Sequence, residues 1–172
     1  MSGSRTRPWR DHLDFNEAAA LMRHLGTAVA IVCLYLTGMR PLEVQGLRSG
    51  CCPDPEPRRD GTSGRHLIRS RHYKNVTDAD GRHVSAGEDR EGPWVAIAPV
   101  VHAIRVWERI VPDGELLFSS AHHDFVYHHG HYGVVKGRNL RQRIEEFVAW
   151  ANREALAQGL PDHRVLCGYW PF

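Results

Sequence analysis

The feature that most limits how this chain can fold is an apolar helical pattern that stops abruptly at a glycine, with an arginine two residues later. Leu21, Met22, Leu25, Val29, Val32 and Leu36 recur at helical spacing, which predicts a helix over roughly Phe15–Leu36. Asp14, with Glu17 three residues on, reads as a capping box at its start. From Ala28 onward the pattern is apolar nearly all round, so this half must be covered on several sides and other elements must pack about it. Thr37-Gly38 ends the run, and Arg40-Pro41 follows. Pro41 suits a first helical residue, because the first N–H groups of a helix have no partner within it. Leu42, Val44 and Leu47 give the short helix that continues an apolar side. Arg40 then stands at a helix start, beside N–H groups whose dipole favours an anion. Its planar guanidinium presents paired donors that fit a phosphate. Arg40 and Glu43 are also three apart, a spacing that by itself reads as a modest structural ion pair.

The segment Thr37-Gly38-Met39-Arg40-Pro41-Leu42-Glu43-Val44-Gln45-Gly46-Leu47-Arg48 resembles the first-arginine motif of the tyrosine recombinases (phage integrase family), T-G-x-R-x-x-E-h-x-x-L, where h is apolar. The resemblance implies site-specific DNA strand cleavage and rejoining, as in integration or excision of a mobile element. In that reaction a tyrosine hydroxyl attacks a phosphodiester, giving a 3′-phosphotyrosine and a free 5′-hydroxyl. Preorganised cations stabilise the charge that builds on the non-bridging oxygens, and by resemblance Arg40 is one of them. The family also uses a lysine, in or beside a hairpin turn, as general acid for the leaving 5′-oxygen. Here Arg69-Ser70-Arg71-His72-Tyr73-Lys74-Asn75 closes the first predicted strand and brings Lys74 to that place. Without the resemblance, Lys74 reads as a solvated loop lysine. Arg90-Glu91-Gly92-Pro93-Trp94-Val95-Ala96-Ile97-Ala98-Pro99 is similar to the family's basic residue, strand and Pro-led helix. Pro112-Asp113-Gly114-Glu115-Leu116-Leu117-Phe118 is similar to its later L-F segment. The implied partners are double-stranded DNA and, in an intact relative, other recombinase protomers. No metal, nucleotide cofactor or small-molecule substrate is implied, since the broken phosphodiester is stored as a protein ester.

The family's later motifs are not found. It places H-x-x-R, a second histidine or tryptophan, and the nucleophilic tyrosine after the helix that here is expected to end near Gln158. His163-Arg164 are adjacent, Tyr169 lies three residues from the last one, and Tyr127 and Tyr132 precede that helix. None is assigned a role. The expectation is a truncated catalytic domain over residues 14–165, between a basic, disordered leader (1–13) and an irregular tail (166–172). Such a chain would bind DNA without cutting it, or act as a non-catalytic interaction remnant.

The remaining pattern is mainly helical. His66–Tyr73 and Pro93–Ala98 read as strands, separated by a polar connection with a turn at Asp78-Ala79-Asp80-Gly81. Cys51–Pro57 and Asp60-Gly61 are loop chemistry. Pro99 opens a helix whose buried face is Val100, Val101, Ile104, Trp107, Ile110 and Val111. Glu115–Phe118 is a short apolar element. A last helix is expected from Asn139, with Gln142 completing its cap. Leu140, Ile144, Phe147, Val148, Ala151 and Leu156 line it, and Gly159 with Pro161 stops it. The fold class expected is therefore α/β in the α+β sense, mainly helical with a small antiparallel sheet, like the N-terminal part of a tyrosine recombinase catalytic domain. At 172 residues one domain is the default.

With 42% hydrophobic and 24% charged residues, the composition is that of an ordinary globular protein, and a net charge of +2 argues only weakly for an anionic partner. Twenty of the basic residues are arginines and two are lysines, Lys74 and Lys136. Arg58-Arg59, Arg69-Arg71 and Arg138-Arg141-Arg143 could track a DNA backbone or form solvated faces. Cys33, Cys51, Cys52 and Cys167 have no C-x-x-C spacing, and the adjacent pair suits neither a shared zinc nor an ordinary disulfide. Arg5, Arg7 and Arg10 lead into a polar segment, unlike a signal peptide. The longest apolar run, Ala28–Leu36, is short of the ~20 residues that span a bilayer. These features point to the reducing cytoplasm of a bacterium, with no membrane partner. His122, His123, His128, His129 and His131 could hold zinc or nickel. They lack an H-x-x-x-H pair on a helix, which reads as adventitious metal binding.

Overall fold

The computed structural model describes residues 12–57, 64–74, 76–77, 80–82, 87–123, 133–135 and 137–159. Helix α1 spans Phe15–Thr37. The Asp14 carboxylate caps it by accepting the Asn16 N–H at 2.7 Å. Gly38 ends it in the left-handed conformation, at φ 71°, where a side chain would be strained. The buried residues Gly26, Thr27, Val29, Ala30, Cys33 and Leu34 concentrate in its second half, as the all-round apolar pattern requires. As a whole, α1 is long and apolar enough to cross a membrane by length and composition, which the short run Ala28–Leu36 understates.

Helix α2 is Pro41–Gln45, and Pro41 takes the first-turn place expected of it. The strands that follow are shorter and more numerous than the sequence suggests. Strand β1 is His66–Ile68, β2 is Arg71–His72, β3 is Glu88–Asp89 and β4 is Trp94–Ala96. They form two antiparallel ribbons. In one, β1 pairs with β4, with Leu67 opposite Val95; in the other, β2 pairs with β3, with Arg71 opposite Asp89 and His72 opposite Glu88. The single predicted strand His66–Tyr73 breaks because its middle is bonded elsewhere. The Arg69 N–H goes to the Cys51 carbonyl at 2.8 Å, and the Ser70 hydroxyl donates to the Glu43 carbonyl at 3.3 Å. The chain therefore exchanges β4 for β3 as its partner.

Helix α3 is Ala98–Glu108, α4 is Ser120–His123 and α5 is Gly137–Ala157. Helix α5 begins two residues before Asn139, so Asn139 lies in its first turn and does not cap it. Val135, just before it, is tied on both backbone sides: its N–H donates to the Phe118 carbonyl at 3.1 Å, and its carbonyl accepts from Gln45 Nε2 at 2.7 Å. The chain is thus free to turn only after that anchor. The buried face keeps its register, with Leu140 and Ile144 in the core. Glu115–Phe118 forms no extended strand, yet the Leu117 N–H bonds the Leu47 carbonyl at 2.9 Å, and Leu117 lies fully buried with Phe118.

Helix α1 is the hub, packing against α2, α3 and α5. The core runs from Val29 and Cys33 through Val44, Leu47 and Ile68 to Val100, Ile104, Trp107 and Phe118. The described residues thus form a mixed α+β structure of helices with small antiparallel ribbons. At the outer edge of the α1–α5 seam, His24 stacks on Trp150 at 4.6 Å between ring centroids. Beside it Arg23 pairs with Glu146 at 2.7 Å.

Candidate functional site

Every residue of the Thr37–Glu43 turn except Leu42, whose side chain is exposed, has a mechanical part in presenting Arg40. The Thr37 hydroxyl donates to the Cys33 carbonyl at 2.6 Å and accepts the Met39 N–H at 3.1 Å, closing the end of α1. Gly38 supplies the left-handed bend, and the Met39 side chain is buried as an anchor. Arg40 takes the extended N-cap conformation before Pro41. Glu43 folds back so that its Oε2 accepts the Arg40 N–H at 2.7 Å. The spacing read as a possible side-chain ion pair is therefore a carboxylate-to-backbone cap. Among the described residues the Arg40 guanidinium has no ion pair, and the residue is exposed. Helix α2 is one turn long, too few aligned peptides for a full macrodipole; any anion affinity at this point rests on the guanidinium.

Arg40 lines an open cleft of about 680 Å³, whose other walls are Gly38 and Glu43, His72 from β2, Glu88 and Asp89 from β3, and Arg90, Glu91, Gly92 and Trp94. Two of its carboxylates have partners across the β2–β3 ribbon: Glu88 meets His72 Nε2 at 2.8 Å, and Asp89 meets Arg71 Nε at 3.1 Å. Glu43 is almost wholly buried, with Arg90 Nη1 at 3.8 Å from its Oε1. The ribbon is seated over α2 by Tyr73. A Cβ on Gly46 would collide with its hydroxyl, and a Cβ on Gly87 would stand 2.7 Å from its ring.

Lys74 follows Tyr73 in the turn after β2 and is exposed; it is not among the residues that line the cleft. The arginine groups do not gather there either. Arg71 is engaged with Asp89 from outside the lining, Arg141 pairs with Glu145 at 3.1 Å on α5, and Arg143 is buried. Arg58, Arg59 and the Arg138 side chain lie outside the described residues, as do Lys136 and the segments 1–11 and 160–172.

Arg90, which in the sequence only matches the family's basic residue before a strand, gains a place in the site from the structure. Its guanidinium carbon lies 4.1 Å from the centroid of the Trp94 ring, and its Nε donates to the Gly92 carbonyl at 2.7 Å. Its backbone N–H donates to the Ser70 carbonyl at 3.1 Å. The sequence also sets Arg90 and Trp94 four residues apart around Gly92-Pro93.

The other candidates carry less. His122 Nε2 is 2.9 Å from a Glu115 carboxylate oxygen, and no group of three metal-ligating side chains occurs among the described residues. His128, His129, His131 and the His123 side chain fall outside them. Cys33, Cys51 and Cys52 are free, buried thiols. Burial pushes the Cys33 thiol up to about 12, and burial raises Cys51 and Cys52 as well, so none is a nucleophile near neutral pH. No family model, curated protein or solved structure matches the chain.

Proposed function

We propose that the chain is part of a tyrosine-recombinase-like catalytic domain whose Arg40 cleft takes a phosphodiester of double-stranded DNA. The observation that carries this reading is the construction around Arg40: Thr37, Gly38, Met39, Pro41 and Glu43 are all spent on fixing the backbone from which one exposed guanidinium projects, without an ion pair among the described residues. A surface arginine that served only solubility would need no such frame. A planar donor lining an open cleft suits a phosphate with two acceptor oxygens.

In the reaction that the family resemblance implies, Arg40 stabilises charge on the attacked phosphate; Lys74, the general acid by resemblance, lies outside the cleft lining and carries no part of this proposal. No tyrosine of this chain is assigned as nucleophile, so the activity proposed for it is DNA binding without strand cleavage. The test is fluorescence anisotropy with a labelled duplex over a range of salt. Arg40→Ala should weaken binding for all sequences alike and lower the salt slope by about one. An unchanged slope would remove Arg40 from the phosphate site. Incubation with a nicked suicide duplex should leave no covalent protein–DNA adduct on a denaturing gel; an adduct would overturn the non-cleaving reading.

A further inference from the structure

We propose that Arg90 is a second phosphate-contacting residue of the same cleft, held rigid by Trp94 and Gly92 so that it and Arg40 grip the DNA backbone together. This inference rests on the phosphodiester reading of the Arg40 cleft. The bland account of Arg90 is that it only neutralises the buried Glu43. The distances speak against that account. Glu43 takes its close hydrogen bond from the Arg40 N–H, at 2.7 Å. Arg90 Nη1 stands 3.8 Å from the other carboxylate oxygen, longer than a hydrogen bond.

Arg90 is instead fixed by parts of the guanidinium that a ligand does not need. One face covers the Trp94 ring at 4.1 Å, an arrangement favoured by the ring quadrupole. The inner edge is committed through Nε to the Gly92 carbonyl. The Nη1 and Nη2 edge makes no hydrogen bond among the described residues. The side chain is 39% exposed, and the residue lines the cleft with Arg40. Holding a guanidinium by its face and Nε removes the rotamer entropy that a flexible arginine loses when it binds. Glu88 and Asp89, which also face the cleft, are engaged by His72 and Arg71, so they compete less for Arg40 and Arg90.

The experiment compares wild type, Arg90→Ala, Arg90→Lys and Arg40→Ala in duplex anisotropy across salt. It repeats Arg90→Ala in a Glu43→Gln background, where no buried charge needs neutralising. Arg90→Ala should lower the salt slope by about one in both backgrounds. Arg90→Lys should recover the slope, since it restores the charge, and still bind more weakly than wild type because the fork is lost. Trp94 lies under Arg90, so DNA should also shift the indole emission of wild type and not that of Arg90→Ala. If Arg40→Ala lowers the slope and Arg90→Ala does not, the proposal fails while the Arg40 site stands. If the effect of Arg90→Ala vanishes in the Glu43→Gln background, Arg90 acts only through Glu43, and the proposal also fails. If neither arginine changes the slope, the phosphodiester reading itself is lost.

Discussion

Trp107 and Arg90 each donate one hydrogen bond of 2.7 Å to a nearby carbonyl, of Leu117 and Gly92 respectively, yet the two bonds belong to different kinds of structure. Around Trp107 everything is apolar and closed: the residue is fully buried, with Ile104, Leu117 and Phe118 in the same core. The bond there satisfies a donor that burial would otherwise strand. Around Arg90 little is buried, and position is set by a stacked ring, a carbonyl and the edge of a two-residue strand. One region holds its shape through area removed from water; the other through a few directional links. The chain thus places its candidate ligand-binding groups where packing is thin, Arg40 between α1 and α2 and Arg90 directly after β3.

If that contrast is right, damage to the core should be the most severe. Trp107→Ala removes a fully buried ring, and should lower unfolding free energy by about 3–5 kcal/mol, read by denaturant titration. A loss under about 1 kcal/mol would mean that the core is not packed as described. The ribbon should respond to a smaller and more specific change. Gly46→Ala puts a methyl group where the Tyr73 hydroxyl lies, and should cost about 1–3 kcal/mol through overpacking. Tyr73→Phe in the same background should return part of that loss. An additive double mutant would show that Tyr73 is not seated there.

The two regions also differ in how far the sequence discloses them. Helix α1 is legible end to end, because a cap at Asp14, an apolar period and Gly38 are local signals that agree. The same holds for the cap at Thr37–Glu43, where the bonds of Thr37, Met39 and the Arg40 N–H close within four residues. What escapes is whatever depends on a distant partner. The break between β1 and β2 follows from Arg69 and Ser70 bonding Cys51 and Glu43, and no periodicity announces that. Strand β3 is two acidic residues without an apolar alternation. The start of α5 is set by Val135 against Phe118 and Gln45, so the local cap signal at Asn139 misleads by two residues. Arg40 could be named from its motif. Arg90 could not, because its place depends on sharing a cleft with Arg40, fifty positions earlier.

The α1–α5 seam offers a gentler probe of the packed side. His24, stacked on Trp150, has its pKa lowered from 6.5 by burial first and then by Arg23, with Glu146 opposing and Arg153 adding to the effect. A histidine that resists protonation in the folded state leaves the unfolded chain binding more protons below its ordinary pKa. Its contribution is intact above pH 6.5 and is lost as pH falls from there through the lowered value. Thermal unfolding should therefore show Tm declining as pH drops below 6.5, and His24→Phe should flatten that decline. An equal slope in the variant would assign the acid sensitivity to other groups.

The smallest effect expected on stability is also the sharpest separation of the two regions. The Arg40 guanidinium is exposed and has no ion pair among the described residues; what anchors the residue is its backbone N–H on Glu43. Arg40→Ala keeps that N–H, so the cap survives, and the substitution should move unfolding free energy by no more than about 0.5 kcal/mol. Such an outcome would agree with the proposal that the Arg40 side chain serves a ligand. A stability loss of about 2 kcal/mol or more would place Arg40 among the structural arginines, and the difference between core and cleft would dissolve. A neutral change in stability, with DNA binding lost, would keep the two regions distinct, because the core would then set the turn and the turn would do no more than offer the charge.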